Sequence, residues 1–342
     1  MIFNDNPLFV KGVAELNEVL AGIRPAAIIG SHEDSAWPLV LKLGSSRSGS
    51  TVFSQWLASS GVFAYPSNFL ALFHGAPVIG ARVFELLTNP RLKYNAEFDD
   101  VRMTISFESI SGKTRGLRAP HEFWQFWLHY FTFPEIPMAC SEWLQCADFE
   151  RFNADVKSIT AEFQKPFVLK GHHLTPYLEH LAPHVDNAVY LHMYRNPVDV
   201  VSSVIKARVT RYGNINHFFG WRPREFELIK DCDVISQVAG QVYFNERAIL
   251  SQRHALTDRY LAFSYEEFCR NPESVYRQIV ALVNQHSTKP IADEYSGPPS
   301  FRPSGCDDPV ERERIESALQ RWSEQFGELN FAGIEPGANF IG

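Results

Sequence analysis

The chain has 342 residues, of which 45% are hydrophobic and 13% aromatic, so it can bury a large core without metal ions or disulfides. Its formal net charge of −7 argues against a nucleic-acid-binding surface, which needs an excess of lysine and arginine. Five cysteines without a C-x-x-C pair indicate neither a disulfide framework nor a zinc site.

The amino-terminal segment predicts one peripheral helix. Apolar side chains recur at helical spacing between residues 10 and 23, which is typical of an amphipathic helix on the outside of a domain. These side chains are Val13, Leu16, Leu20 and Ile23. The segment lacks a basic region followed by a long apolar stretch, and nowhere do about eighteen uncharged apolar residues follow one another. We therefore expect a cytoplasmic protein without a membrane span.

Four short apolar runs predict the strands of a parallel sheet. They are PLVLKLG (38–44), PFVLKG (166–171), NAVYLHMYR (187–195) and RYLAFSY (259–265). Helical patterns follow at least three of them, and such alternation is typical of an α/β fold in which helices cover both faces of the sheet. Ligands of these folds bind at the carboxyl ends of the strands.

Two segments interrupt the alternation of strands and helices. Residues 62–165 are long, aromatic and broken by proline and glycine, so we interpret them as a helical insertion or lid. A long loop runs from about residue 287 to 310, and one polar helix, ERERIESALQRWSEQF, follows it. We expect one domain over residues 1–342. It has a core at about 38–61 and 166–285, the insertion, and a carboxyl-terminal loop and helix at 287–342.

The loop after the first strand has the spacing of a phosphate-binding loop. Residues 44–51 read GSSRSGST, which fits GxxxxGK[ST] except that Ser50 occupies the lysine position. Successive backbone N–H groups and a helix amino terminus still form an anion cradle. Arg47 places its charge inside the loop, which suits one phosphate and an adjoining transferred group better than a magnesium triphosphate. The alternative is a Ser/Gly-rich turn that only caps a helix.

A second anion-binding pattern follows the third apolar run. Arg195 ends the strand, and Asn196 and Pro197 are a typical N-cap and first residue of a helix. Ser203 comes eight residues after Arg195, so an anion that touches both must lie beside the helix. The pattern predicts a second, separate phosphate pocket. A surface ion pair is the alternative for Arg195, and an ordinary helix position is the alternative for Ser203.

A histidine pair after the second apolar run offers a general base. If FVLKGH remains extended, Lys170 and His172 lie on one face of the strand and His173 on the other. An imidazole titrates close to the working pH, so His172 is a candidate base. His121 and Glu122 are the rival bases, and a hydrogen-bonded structural role is the alternative for His172.

The densest aromatic run lies in the insertion. Its members are Phe123, Trp124, Phe126, Trp127, Tyr130, Phe131 and Phe133. Their spacing is typical of a buried helix, and we interpret most of them as core. The alternative is that they line an apolar acceptor pocket.

These motifs resemble the sulfotransferase superfamily that uses 3′-phosphoadenosine 5′-phosphosulfate. The family's loop [KR]-S-G-[ST]-T is similar to RSGST at 47–51, and its signature R-N-P-x-D-V-x-x-S is similar to residues 195–203. The strand motif K-x-H resembles residues 170–172. A weaker similarity links Y-E-D-[LM] and N-P to residues 265–272. The resemblance covers roughly 38–61 and 166–285.

The resemblance implies a P-loop-like fold and transfer of a sulfuryl group to a hydroxyl or amine of a small-molecule acceptor, without a metal ion. If the aromatic run lines the acceptor pocket, the acceptor is apolar or aromatic. Catalysis would then rest on Arg47, His172 and Lys170. The donor-binding residues would be Arg47, Ser48, Gly49, Ser50, Thr51, Val52, Arg195, Ser203, Tyr265 and Arg302. Val52 stands where an aromatic often stacks on adenine, and the family's basic tail motif is absent, so Arg302 would replace it as a phosphate contact.

Two other functions stay open at the level of the sequence. A kinase or nucleotide hydrolase with a degenerate Walker loop would bind magnesium triphosphate, but Ser50 and the second anion-binding pattern count against it. A nucleotide-binding relative without catalysis would keep the fold, but Arg47 and His172 count against that. The sequence does not identify the acceptor.

Overall fold

A four-stranded parallel sheet with the order β4-β1-β5-β6 organises the chain. The structure, a computed structural model, describes residues 6–21, 36–92, 105, 107, 109–110 and 113–331. The strands of the sheet are β1 (Leu39–Leu43), β4 (Val168–Lys170), β5 (Ala188–Tyr194) and β6 (Tyr260–Ser264), and a separate antiparallel pair consists of β2 (Ser109–Ile110) and β3 (Lys113–Thr114). Each apolar run that predicted a strand contains one strand of the sheet, so this prediction is confirmed.

Helices of very different length surround the sheet. They are α1 (Pro7–Ala21), α2 (Ser50–Ser59), α3 (Pro77–Thr88), α4 (Trp124–Trp127), α5 (Cys140–Gln145), α6 (Phe149–Phe163), α7 (Leu178–Leu181), α8 (Pro197–Tyr212), α9 (Phe226–Ile229), α10 (Val234–Gln252), α11 (Tyr265–Arg270), α12 (Pro272–Gln285) and α13 (Pro309–Phe326). The 3-10 segments are Leu70–Phe73, Pro90–Leu92, His172–Tyr177 and Arg253–Arg259. The expected first and last helices correspond to α1 and α13, although Ile23 lies outside the described residues. Within the described part of the chain, no helix is both long enough and apolar enough to cross a membrane.

Side-chain caps fix where the helices after β5 and β6 begin. The Asn196 side chain accepts a hydrogen bond from the Val198 N–H at 2.9 Å, and Pro197 opens α8 as predicted. The Ser264 hydroxyl accepts from the Glu267 N–H at 3.0 Å at the start of α11. These bonds satisfy N–H groups that a first helical turn leaves without partners. Each strand therefore passes directly into its helix, and the polar residues between them lie at the carboxyl edge of the sheet.

Alternate side chains of β1 pack into two different cores. Leu39, Leu41 and Leu43 belong to the core that includes residues of α3, α4 and α6, whereas Val40 packs with α2 and α12 on the other face. Both faces of the sheet are thus covered, which confirms the predicted α/β class. A third core joins α8, α10 and α13.

The insertion at 62–165 contributes to the central core. Phe126 and Trp127 are fully buried, and the same core contains most of the aromatic run, in agreement with its interpretation as core. The Val168 N–H donates to the Ala64 carbonyl oxygen at 2.8 Å, which ties the start of the insertion to β4. Trp124 departs from this pattern, because it is only partly buried and lines the cavity described next.

Candidate active site

A cavity of about 820 Å³ opens at the carboxyl edge of the sheet. Its size falls within the range of about 300–1,000 Å³ that is typical of small-molecule sites. Of the residues that the sequence singled out, the cavity is lined by Arg47, Gly49, Ser50, Thr51, Val52, His121, Glu122, Lys170, His172, Arg195, Ser203 and Tyr265. The two anion-binding motifs and all the candidate bases therefore meet in one place.

The loop before α2 requires an unusual backbone. Gly49 has a φ of 90°, and a Cβ there would lie 2.4 Å from the Tyr265 ring. Gly44 has a φ of 125°, and a Cβ there would lie 2.5 Å from the Met193 carbonyl oxygen. Arg47 itself adopts a φ of 69°, a conformation that is unfavourable for a residue with a side chain. Such strain is concentrated at functional sites, and here it falls on the arginine of the motif.

A buried carboxylate is hydrogen-bonded to the start of the loop. The Ser45 N–H donates to Glu246 Oε1 at 2.9 Å, and His192 Nε2 lies 2.8 Å from Glu246 Oε2. Burial alone would raise the pKa of Glu246, but His192 and Ser45 together hold it below its ordinary value. The carboxylate is therefore charged and fixed at both oxygens. The sequence analysis missed Glu246, because it lies 201 residues from Ser45 within α10.

The two arginines lie close together and share the loop backbone. Arg47 Nε donates to Ser203 Oγ at 3.1 Å, and Arg195 Nη1 donates to the Arg47 carbonyl oxygen at 3.0 Å. Arg195 Nη2 also donates to the carbonyl oxygen of Ser304. The expectation of a separate second phosphate pocket is wrong, because the Arg47 side chain crosses from the loop to α8 and the two motifs line one cavity.

The charge at this end of the cavity is positive and poorly compensated. Burial and the neighbouring Arg195 lower the pKa of Arg47. Arg195 is 7% exposed, and its Nε has no hydrogen-bond partner among the described residues. The guanidinium carbon of Arg195 lies 4.6 Å from the centre of the Tyr265 ring, so an aromatic face supports it. Buried cations normally need a counter-charge, so this arrangement favours a bound anion.

Three of the predicted donor-binding residues are buried or lie outside the cavity wall. Tyr265 is buried and packs against Gly49 and Arg195, although part of it reaches the cavity. The Ser48 side chain is fully buried and points below the loop, where its hydroxyl lies 3.2 Å from Lys42 Nζ. Arg302 is exposed and does not line the cavity, whereas Ser304 of the same segment does.

The strand that carries Lys170 ends earlier than the run FVLKGH predicts. β4 stops at Lys170, Gly171 has a φ of −112° and a ψ of 29°, and a 3-10 segment starts at His172. The expected alternation of side chains is therefore wrong beyond Lys170. His173 does not point to the opposite face; it lines the same cavity as His172.

The environment of His172 fixes its protonation. His172 Nδ1 is hydrogen-bonded to the carbonyl oxygen of Gly44, and a carbonyl can only accept, so Nδ1 carries the hydrogen. Burial and the charges of Lys42 and Lys170 hold the pKa of His172 well below its ordinary value. The ring is therefore neutral at pH 7, and its Nε2 has a free lone pair that can accept a proton.

The rival bases line the same cavity. The Phe123 N–H donates to His121 Nδ1 at 2.9 Å, so the neutral ring of His121 carries its hydrogen on Nε2 and offers a donor there. Glu122 is 68% exposed and lies 3.7 Å from Lys170 Nζ. Burial lowers the pKa of Lys170, and Glu122 opposes that shift. His172 is thus the better placed of the two histidines to accept a proton.

The remaining wall of the cavity contains Trp124 of the aromatic run, for which the sequence analysis left an acceptor pocket as the alternative, and residues that the sequence analysis missed. The missed residues are Asn68, Ser109, Lys113, Thr114, Arg211, Tyr212, Phe219 and Trp221, together with Ser46, Pro120, Gly220 and Ser304. Trp124 and Trp221 lie side by side, with ring centres 4.9 Å apart. Most of these residues belong to the insertion or follow α8, where no sequence motif marks them.

Comparison with solved structures returns bacterial sulfotransferases. Sulfotransferase STF9 from Mycobacterium avium is 18% identical, with 94% of this chain and 78% of that chain covered and a TM-score of 0.46. Sulfotransferase STF1 from Mycobacterium tuberculosis H37Rv is 13% identical, with coverage of 93% and 84% and a TM-score of 0.47. The sulfotransferase domain of the Synechococcus PCC 7002 olefin synthase is 18% identical, with coverage of 88% and 98% and a TM-score of 0.39.

The amino-acid sequence was also compared with curated proteins and with protein-family models. No curated protein matches the chain. Residues 38–286 match the model of the Sulfotransferase family, a span that includes all the strands of the sheet, the anion loop and both arginines. Because this span is more than half of the chain, the protein belongs to the sulfotransferase family.

Proposed function

We propose that the protein transfers the sulfuryl group of 3′-phosphoadenosine 5′-phosphosulfate to a hydroxyl or amine of a small-molecule acceptor. The observation that carries this proposal is the cavity itself, which brings the positively charged anion loop together with the free lone pair of His172, whose other ring nitrogen is bonded to the start of that loop. Both are needed for an in-line transfer from a bound anionic donor to a deprotonated acceptor.

Two anion-binding groups support a donor with phosphates at the 3′ and 5′ positions of its ribose. The loop at 47–51 offers backbone N–H groups to the 5′-phosphosulfate, and Arg47 stabilises the bridging oxygen as the sulfuryl group leaves. Arg195 and Ser203 bind the 3′-phosphate. The hydrogen bond between Arg47 and Ser203 supports a single donor that spans both groups, because these two side chains lie next to each other.

His172 acts as the general base in the proposed reaction. Its Nε2 accepts the proton of the acceptor while the acceptor oxygen or nitrogen attacks sulfur, and the bond from sulfur to the bridging oxygen breaks. The bisphosphate leaves with the negative charge, and Lys170 lies beside this path. A neutral imidazole with a lowered pKa is available for this role throughout the physiological pH range.

The acceptor enters from the side of the insertion. The aromatic faces of Trp124 and Trp221 and the polar groups of Asn68 and Lys113 line that part of the cavity. This mixture supports a small molecule with an apolar body and the reacting group directed toward His172.

Thermal unfolding with and without ligands tests the donor. We expect 3′-phosphoadenosine 5′-phosphate to raise the melting temperature, because a ligand that binds only the folded state stabilises it by mass action. ADP is expected to give a smaller shift, since it lacks the 3′-phosphate, and Arg195→Ala should abolish the difference between the two ligands. Stabilisation by magnesium ATP alone would support a kinase and contradict the proposal.

A further inference from the structure

A lysine lies inside the sheet, directly beneath the anion loop. Lys42 belongs to β1, is 1% exposed, and stands between apolar neighbours in the strand. Its Nζ lies 3.2 Å from the Ser48 hydroxyl, and its neighbour in the register of β4 is Lys170. Lysine is almost never fully buried unless it is paired. A buried lysine next to a second lysine is therefore an unusual feature of this sheet.

Two titratable groups of the described residues act on Lys42, namely Lys170 on β4 and Glu246 on α10. His172, at the start of the 3-10 segment, is neutral and is itself influenced by Lys42. Burial and the charge of Lys170 lower the pKa of Lys42 to about 7, although Glu246 opposes the shift. At pH 8 only about one Lys42 side chain in ten is then charged in the free protein.

The loop above Lys42 lacks a cation at the position where nucleotide-binding loops have one. Ser50 occupies that position, and Arg47 is directed toward α8. Lys42 reaches the loop from the opposite side, through the Ser48 hydroxyl, and it does not line the cavity. An ammonium group there would add to the positive potential of the loop N–H groups without touching a ligand.

We propose that Lys42 is a positioning residue of the donor site that takes up a proton from the solvent when the 3′,5′-bisphosphate binds. This inference rests on the proposed function, because the charge of the donor drives the uptake. In the free protein the Lys42 amine is mostly neutral, which lowers the cost of burying it beside Lys170. A polyanion in the loop favours the ammonium form, and the proton comes from the buffer. Binding and protonation are thereby linked.

Calorimetric titration of the full chain with 3′-phosphoadenosine 5′-phosphate measures this uptake. At pH 8, titrations in buffers of different ionisation enthalpy should reveal the uptake of about 0.5–1 proton per bound ligand. The ligand's phosphates are already ionised at that pH, since their second pKa is about 6. The dissociation constant should rise about two- to tenfold between pH 8 and 9.

Three variants assign the proton to a residue. Lys42→Met should abolish the uptake and make the dissociation constant nearly independent of pH between 8 and 9, whereas Lys11→Met, at an exposed position of α1, should behave like the wild type. Lys170→Met tests the neighbouring lysine. Loss of uptake in Lys170→Met with uptake retained in Lys42→Met would overturn the proposal.

If Lys42→Met fails to fold, calorimetry of the wild-type protein alone still tests the role of Lys42. Binding of the bisphosphate without proton uptake would overturn the role of Lys42 and leave the donor assignment intact. Absence of any bisphosphate binding would overturn both the proposed function and this inference.

Discussion

Two histidines in the cavity differ in what they offer to a substrate. The difference comes from their backbone partners, because a carbonyl oxygen accepts from His172 Nδ1 while an N–H group donates to His121 Nδ1. Neutral His172 therefore has its lone pair on Nε2, and neutral His121 has its hydrogen there. Residue type alone does not distinguish a histidine that accepts a proton from one that donates a hydrogen bond. The backbone group bonded to each ring makes that distinction.

Replacement of the base should reduce turnover without loss of donor binding. His172→Asn keeps an amide N–H for the Gly44 carbonyl but removes the basic nitrogen, so we expect the turnover number to fall by about 10²–10⁴-fold. The affinity for 3′-phosphoadenosine 5′-phosphate, measured by calorimetry, should stay nearly unchanged. In the wild type, the turnover number should not decline as the pH falls from 8 to 6.5, because the lowered pKa keeps His172 neutral.

The matched control for this prediction is Glu122→Gln. Glu122 is 68% exposed and its contact with Lys170 is long, at 3.7 Å, so its loss should change turnover by less than about fivefold. A large loss in Glu122→Gln together with a small loss in His172→Asn would transfer the role of base to Glu122.

At the scale of elements, the site depends on contacts between distant segments. The strands and the helices after them follow from short apolar runs and local caps, and the sequence predicts them well. The anion loop is equally local, since its glycines and arginine lie within eight residues. Glu246 is different. It anchors Ser45 from α10, and no local pattern marks a carboxylate whose partner is 201 residues away.

Small backbone changes also limited what the sequence could predict. The run FVLKGH reads as one strand, but Gly171 breaks it, and both His172 and His173 then reach the cavity. The left-handed backbone of Arg47 likewise joins two motifs that the sequence treats as separate. Periodicity predicts the faces of regular elements, and these residues lie just beyond the ends of regular elements.

Removal of the charge on Glu246 should loosen the loop. Glu246→Gln preserves size and an oxygen that accepts from Ser45, but it removes the negative charge that His192 contacts. We expect the free energy of unfolding to fall by about 2–4 kcal/mol, because the pair is buried and hydrogen-bonded. Urea unfolding followed by circular dichroism measures this change, and calorimetry should show weaker bisphosphate binding.

The control compares this buried contact with an exposed one. Glu15→Gln on α1 removes an ion pair to Lys11, and both side chains are largely exposed. Such pairs contribute little, so the unfolding midpoint should match that of the wild type. Equal stability of the Glu246→Gln and Glu15→Gln proteins would show that the loop does not need its buried carboxylate.

On the scale of the whole molecule, the buried lysine should shape how stability depends on pH. The folded-state pKa of Lys42 is about 7, below the value of about 10.4 in an unfolded chain. Between these values the unfolded chain binds more protons, so the free energy of unfolding should rise with pH, by at most about 1.4 kcal/mol per unit for this group. Lys170 and Lys165, whose pKa values burial also lowers, act in the same direction.

Urea unfolding of the ligand-free protein at pH 7 and at pH 8.5 tests this dependence. The window ends at 8.5, because burial raises the pKa of Cys269 and the unfolded thiols begin to ionise above that pH, with the opposite effect. Lys42→Met should reduce the slope by about one proton, and an unchanged slope would argue against a neutral Lys42. Saturation with 3′-phosphoadenosine 5′-phosphate should reduce the wild-type slope in the same way, because the bound anion returns Lys42 toward its unfolded-state pKa. Stability and donor binding would then depend on the same proton.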